Sequence, residues 1–270
     1  MIALDISAAF DTVQHEILLH RLREAGVDGA ALKWLTDYLT GRKQMVCWRN
    51  QMSATSSVSY GVPQGSVLGP LLFNVYMAPL GKLLTELGIP HHIYADDVLI
   101  YFILDSSYTD EFYQRVIDSV SSWMIKNYLA INPNKTQGLL FHTGRGRLPT
   151  IPQLNVMGEA LTIETEGTLK YLGVHLDARL NFSKHVDMVC RSVYAQLFKI
   201  RRVRASLNVS TSIMLVNALI LSRIDYCSSV LIGTHQKEKD KLQRTLHATA
   251  RVVFNLDRAS SITSSIKKLK

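Results

Sequence analysis

The sequence predicts an α+β chain of two units, and three observations predict it. Short apolar runs bounded by turn residues alternate with helically spaced stretches through residue 177, whereas only helical spacing follows Ala178. Apolar residues make up 47% and charged residues 19% of 270, globular values that exclude a disordered tail or a fibrous repeat. That length exceeds one compact unit of typical size. The charge divides with the pattern: 10 Lys/Arg against 13 Asp/Glu in residues 1–135 (−3), then 20 against 9 in residues 136–270 (+11), which sum to +8. From Ala178 onward the count is 17 against 5, or +12. An acidic front suits a unit that gathers cations. A basic back third suits contact with a polyanion or a solvated helical surface, and charge alone leaves both open.

Ile2–Ile6 is a short apolar run with one carboxylate, Asp5, and reads as a buried strand. Ser7 is placed to cap a helix with Phe10, Val13 and Ile17 on one face and a stop at Gly26. A second helix runs from Ala30 to Leu39, and Gln44 to Trp48 with the Ser/Thr-rich stretch to Tyr60 forms a loose hairpin arm. Gly61–Ser66 is turn chemistry, and an apolar helix follows from Leu68 to Leu84 with Pro70 in its first turn. Ile89–Phe102 reads as two apolar arms around Asp96-Asp97. Phe112, Val116 and Val120 mark an amphipathic helix that stops before Asn132-Pro133, and Thr136–Phe141 returns to strand. Residues 155–161 form a hairpin turning at Gly158-Glu159, and Lys170–Leu176 is a further strand. Helical spacing then covers 182–203, 211–230 and 236–254, with the domain boundary expected between 177 and 178.

No run reaches ~18 uninterrupted apolar residues, so no membrane span is expected, and the N-terminus lacks the pattern of a secretory signal. Cys47, Cys190 and Cys227 read as buried thiols of a reducing compartment, which points to an intracellular protein, in nucleus or cytoplasm. His15 and His20 are five apart, where a helical zinc box needs four, so that reading fails.

Asp96 and Asp97 are the most demanding pair in the chain. Two carboxylates ~4 Å apart repel by roughly 4 kcal/mol at an effective dielectric near 20. An Asp-rich turn in water tolerates that, but Ile93, Val98, Leu99 and Ile100 around this one argue against full solvation. Asp5, on another strand, offers a third oxygen ligand for a hard divalent cation, and three carboxylates on neighbouring strands are what two-metal phosphoryl transfer requires.

Five blocks in order carry a resemblance to the reverse transcriptases of non-LTR retrotransposons. Leu4-Asp5-Ile6-Ser7-Ala8-Ala9-Phe10-Asp11-Thr12-Val13 resembles motif A, and Gly61-Val62-Pro63-Gln64-Gly65-Ser66-Val67-Leu68-Gly69-Pro70 resembles motif B. Tyr94-Ala95-Asp96-Asp97 is similar to the motif C box, Asn132-Pro133-Asn134-Lys135-Thr136 to motif D, and Lys170-Tyr171-Leu172-Gly173-Val174 to the primer-grip hairpin. The resemblance implies a polymerase palm in residues 1–177 and a basic helical thumb in 178–270, with the fingers missing because the chain is truncated before motif A. It implies RNA-directed DNA synthesis with two Mg²⁺ ions, or Mn²⁺, on Asp5, Asp96 and Asp97, using an RNA template, a DNA primer and a deoxynucleoside triphosphate. Phe10 would lie under the sugar and exclude a 2′-hydroxyl, Gln64 and Gly65 would contact the template base or nucleotide, and Lys135 would protonate pyrophosphate. Leu172 and Gly173 would hold the primer end. Lys199, Arg201, Arg202 and Arg204 would contact phosphates, although cations at a helix end also have a structural use. The alternative is a truncated element fragment that binds nucleic acid with weak or no catalysis.

Overall fold

A computed structural model describes residues 1–104, 108–257, 260–267 and 269. It is mixed α+β and divides into two compact units, residues 1–140 with 146–164, and residues 141–145 with 165–270. The hairpin that precedes residue 178 thus groups by contacts with the helices that follow it. Among the described residues no helix is long and apolar enough to cross a membrane.

The first unit is organised by a five-stranded sheet in the order Ile163–Glu164, Gln137–Leu139, Ile2–Leu4, Asp97–Ile100, His91–Tyr94. Every neighbouring pair is antiparallel except the first, which is parallel. Ile2 and Leu4 pair with Ile100 and Val98 on one face of the sheet, and all four are buried, as are Leu99 and Leu139; a one-residue slip would carry Ile2 and Leu4 to the opposite face, which fixes the register. Helices α1 (His15–Glu24), α2 (Gly29–Leu39), α3 (Gly69–Glu86) and α4 (Asp110–Lys126) complete the unit. In α3, Leu72, Phe73, Tyr76, Met77, Leu80 and Leu84 recur at helical spacing and are buried in one core. Thr109 caps α4 by accepting from the Phe112 amide, and Asp110 and Glu111 favour its first turn.

Three expectations for this unit are corrected. Ser7 caps no helix: Ile6–Ser7 pairs with Ala130–Ile131, a 3₁₀ turn spans Ala9–Asp11, and the first helix begins at His15. A long-range strand partner has outcompeted a local cap. The second hairpin turns one residue earlier than expected, at Met157-Gly158, both with positive φ, so that Glu159 pairs with Val156. Cys47 is exposed, which corrects its reading as a buried thiol, while Cys190 and Cys227 are partly buried.

The second unit is built on α5 (Ser183–Val203), α6 (Val209–Val216), α7 (Ser222–Asp225) and α8 (Gln236–Phe254). Val193, Leu197, Ile200, Val216, Ile220 and Val253 form its core. Residues 170–176, expected as one strand, form a hairpin of Thr168–Tyr171 with Val174–Asp177, because the Leu172-Gly173 turn reverses the chain. The expected helix over 211–230 is also interrupted: a π-type turn, Asn217–Leu221, joins α6 to α7, and Cys227 at φ +52 ends the helical run.

His185 is buried on α5, and burial lowers its pKa, with a smaller contribution from His175. The unfolded imidazole therefore binds a proton first as pH falls below about 6.5, and folded stability declines from that point. Denaturant titrations at pH 7.5 and 5.5 should show a smaller loss in His185→Gln than in the parent chain.

Candidate active site

The strand register places the carboxylates. Ile2, Ala3 and Leu4 face Ile100, Leu99 and Val98, and Asp5 and Asp97, the next residues along the two chains, lie close enough for the Asp5 charge to act on the Asp97 carboxyl. The paired strands His91–Tyr94 and Asp97–Ile100 leave only Ala95 and Asp96 in the turn, with Ala95 at φ +52. Asp5, Asp96 and Asp97 thus lie at one end of the sheet. Burial raises the Asp97 carboxyl above the ordinary carboxylate range, and the charges of Asp96 and then Asp5 push it further. Among the described residues no three His, Cys, Asp or Glu side chains are gathered tightly enough to hold a metal ion. The donor chemistry nevertheless suits a hard divalent cation: all three are oxygen donors, and the repulsion felt by Asp97 is what a dication relieves.

A bulge delivers Lys135. Partner numbers on the two ladders sum to 140 for Ile2 with Gly138, and to 137 for Ile6 with Ile131. Three extra residues are therefore looped out between the two ladders, beside Asp5. The Asn132 amide donates to the Asp5 carbonyl (2.8 Å), and the buried Thr136 hydroxyl donates to the Asn132 carbonyl (2.9 Å) and ties the loop. Lys135 Nζ then stands 3.9 Å from Asp5 Oδ2 at the surface. Such an exposed pair contributes little stability, so its significance lies in placement.

The turn after Asp5 carries the second group. Phe10 stacks on Phe73 with centroids 4.6 Å apart, and with Pro70, Asn74, Tyr94 and Ala95 it lines a cavity of about 420 Å³. The Val62 amide donates to the Phe10 carbonyl (2.8 Å) and the Gly61 amide to the Val13 carbonyl (2.7 Å), which lays the 61–66 loop along this turn. Gln64 Nε2 donates to Asp11 Oδ1 (2.9 Å), and both residues line a larger cavity of about 730 Å³ with Arg42, Lys43, Gln44 and Tyr60. Asp11 was missed by sequence reasoning. Its only local signal is an acid beside Phe10 in a turn. Gly65, at φ +78, is exposed.

A family model described as reverse transcriptase (RNA-dependent DNA polymerase) matches residues 1–176. The chain belongs to the reverse transcriptase family. It is 30% identical over 204 residues to a probable RNA-directed DNA polymerase from transposon BS of Drosophila melanogaster, covering 73% of this chain and 22% of that protein. It is 28% identical over 214 residues to the RNA-directed DNA polymerase from mobile element jockey of Drosophila funebris, covering 76% and 22%. A Pol polyprotein from the type-1 retrotransposable element R2 of Popillia japonica is 25% identical over 277 residues, covering 95% and 43%. The chain thus spans between 22% and 43% of the length of these relatives. A solved telomerase from Candida albicans, in complex with a TWJ fragment of telomeric RNA, aligns with a TM-score of 0.45 at 11% identity, over 99% of this chain and 47% of that one.

Within this reverse transcriptase chain, the remaining candidate residues lie in the second unit. Leu172 and Gly173 form the centre of the hairpin turn. Lys199, Arg201 and Arg202 are exposed at the end of α5, whereas Arg204 turns inward and donates to the carbonyls of Val252 (3.0 Å), Val253 (2.5 Å) and Leu207 (2.7 Å). Its charge is thereby engaged with the C-terminal end of α8.

Gly61 holds the 61–66 loop against the turn at φ +89, where a Cβ would meet the Asp11 carbonyl oxygen at 3.0 Å. Gly61→Ala should cost ~1–3 kcal/mol in a denaturant titration.

Proposed function

We propose that this chain carries the polymerising centre of a retroelement reverse transcriptase, which extends a DNA primer on an RNA template. The observation that carries this reading is that Asp5, Asp96 and Asp97 share one end of one sheet, near enough for the charges of Asp96 and Asp5 to act on the Asp97 carboxyl, with Lys135 beside Asp5. In this reading residues 1–177 act as the palm and residues 178–270 as the thumb-side extension.

Asp5 and Asp96 would hold the cations, with Asp97 in support. Bound there, a pair of Mg²⁺ or Mn²⁺ ions supplies Lewis acidity toward the attacking and leaving oxygens. Phe10, fixed by Phe73 and bordering the cavity beside Tyr94, lies under the incoming sugar and excludes a 2′-hydroxyl. The Gln64–Gly65 turn, braced through Asp11, contacts the template base or nucleotide. The Lys135 ammonium gives a proton to the departing pyrophosphate, a general-acid role worth ~10²–10⁴ in rate. Leu172 and Gly173 hold the primer end. Lys199, Arg201 and Arg202 contact phosphates, and Arg204 steadies their segment against α8.

Primer extension on an RNA template with Mg²⁺ tests the assignment. Incorporation should be lost in Asp96→Asn while salt-sensitive binding of primer–template persists. Binding without incorporation in the parent chain would instead favour a nucleic-acid-binding fragment. Lys135→Ala should slow single-turnover incorporation by ~10²-fold or more and leave nucleotide affinity nearly unchanged.

A further inference from the structure

We infer that Tyr226 is a positioning residue for the Leu172–Gly173 turn; this rests on the polymerase reading above, in which that turn holds the primer end. The hairpin closes with Tyr171 opposite Val174, so Leu172 and Gly173 are its two central residues, at φ +44 and +81. Positive φ at both centres is the tight I′ geometry, which glycine adopts freely and leucine does not. A turn with leucine in that conformation needs support from outside the hairpin.

Tyr226 supplies it. Its hydroxyl donates to the Leu172 carbonyl at 2.6 Å. Its ring lies against Gly173, where a Cβ would meet Cε1 at 3.2 Å. One side chain therefore engages both central residues, 54 positions away in sequence.

The helix break explains how the ring gets there. The helical run ends at Asp225, Tyr226 takes an extended ψ of 120, and Cys227 adopts φ +52, which non-glycine residues seldom do. Cys227 packs against the cluster of Val174, Phe182, Val186 and Leu231 that also receives Leu176 of the hairpin. Hairpin and break are thus tied twice, by an apolar cluster beneath and by Tyr226 at the tip. Primer placement is sensitive to this, because displacing a reacting group by ~1 Å can cost ~10² in rate while contact area hardly changes.

Two variants separate the contacts: Tyr226→Phe removes the donor and keeps the ring, and Gly173→Ala crowds the ring and keeps the donor. Single-turnover incorporation at saturating primer–template and nucleotide, primer–template Kd without nucleotide, and melting temperature would be measured for each, and for Leu172→Ala. The inference expects Tyr226→Phe to slow incorporation by about 10–100-fold with Kd and melting temperature held, and Gly173→Ala, where φ +81 also strains a side chain, to slow it as much with Kd held and a lowered melting temperature. Their combination should be no slower than the slower single variant, since both act on one turn. A parental rate in Tyr226→Phe beside a slowed Gly173→Ala would overturn the inference and leave the primer-holding assignment standing. Parental rates in both Gly173→Ala and Leu172→Ala would overturn that assignment and the inference with it. Loss of the melting transition in Tyr226→Phe would mark a purely structural role and also overturn it.

Discussion

The antiparallel pairing of Ile2–Leu4 with Asp97–Ile100 is the constraint on which the rest of the first unit depends. Six buried apolar residues on these and the adjoining strand hold the register, and the register decides which side chains emerge at the sheet's end. They are carboxylates on both strands. Apolar burial along the ladder thus offsets the cost of the carboxylates at its tip, where partial burial first, and the charges of Asp96 and Asp5 second, raise the proton affinity of Asp97. In the proposed mechanism that stored repulsion is relieved by divalent cations, so stability of the empty chain and affinity for metal draw on the same charges.

Around this end, irregular backbone carries the other candidate groups. A three-residue excess between two short ladders projects Lys135 toward Asp5, and a positive-φ glycine lets the 61–66 loop lie along the Phe10–Val13 turn. Gln64 is then oriented by Asp11. The regular elements set positions, while bulge and loops aim the side chains, which is the usual division between a scaffold and its functional segments. The second unit follows the same rule, with a strained turn held by a tyrosine from an interrupted helix.

Local chemistry made much of this legible. The Asp96 hairpin, the Gly61–Ser66 turn, Pro70 at the start of α3 and the helices in 110–126 and 236–254 all follow from residues close in sequence. What could not be read depended on distant partners. Ser7 looks like a helix cap until Ala130–Ile131 pairs with its strand, and nothing within motif D announces that a register change will bring Lys135 to Asp5. Arg204 belongs to a basic run by composition, but two of the carbonyls that engage it, those of Val252 and Val253, lie about 50 positions away. Tyr226 fell inside helical spacing that continues on both sides, so the break at Cys227 left no sequence signature.

The central claim is that carboxylates from two neighbouring strands act as one cation site. Titration of the chain with Mn²⁺, followed by electron paramagnetic resonance, tests it without requiring turnover. The account predicts saturable binding that Asp5→Asn and Asp96→Asn each weaken by about tenfold or more, consistent with the loss of a hydrogen-bonded or ligating charge worth ~1.4 kcal/mol or above. Binding that survives both substitutions unchanged, or is absent from the parent chain, would contradict it.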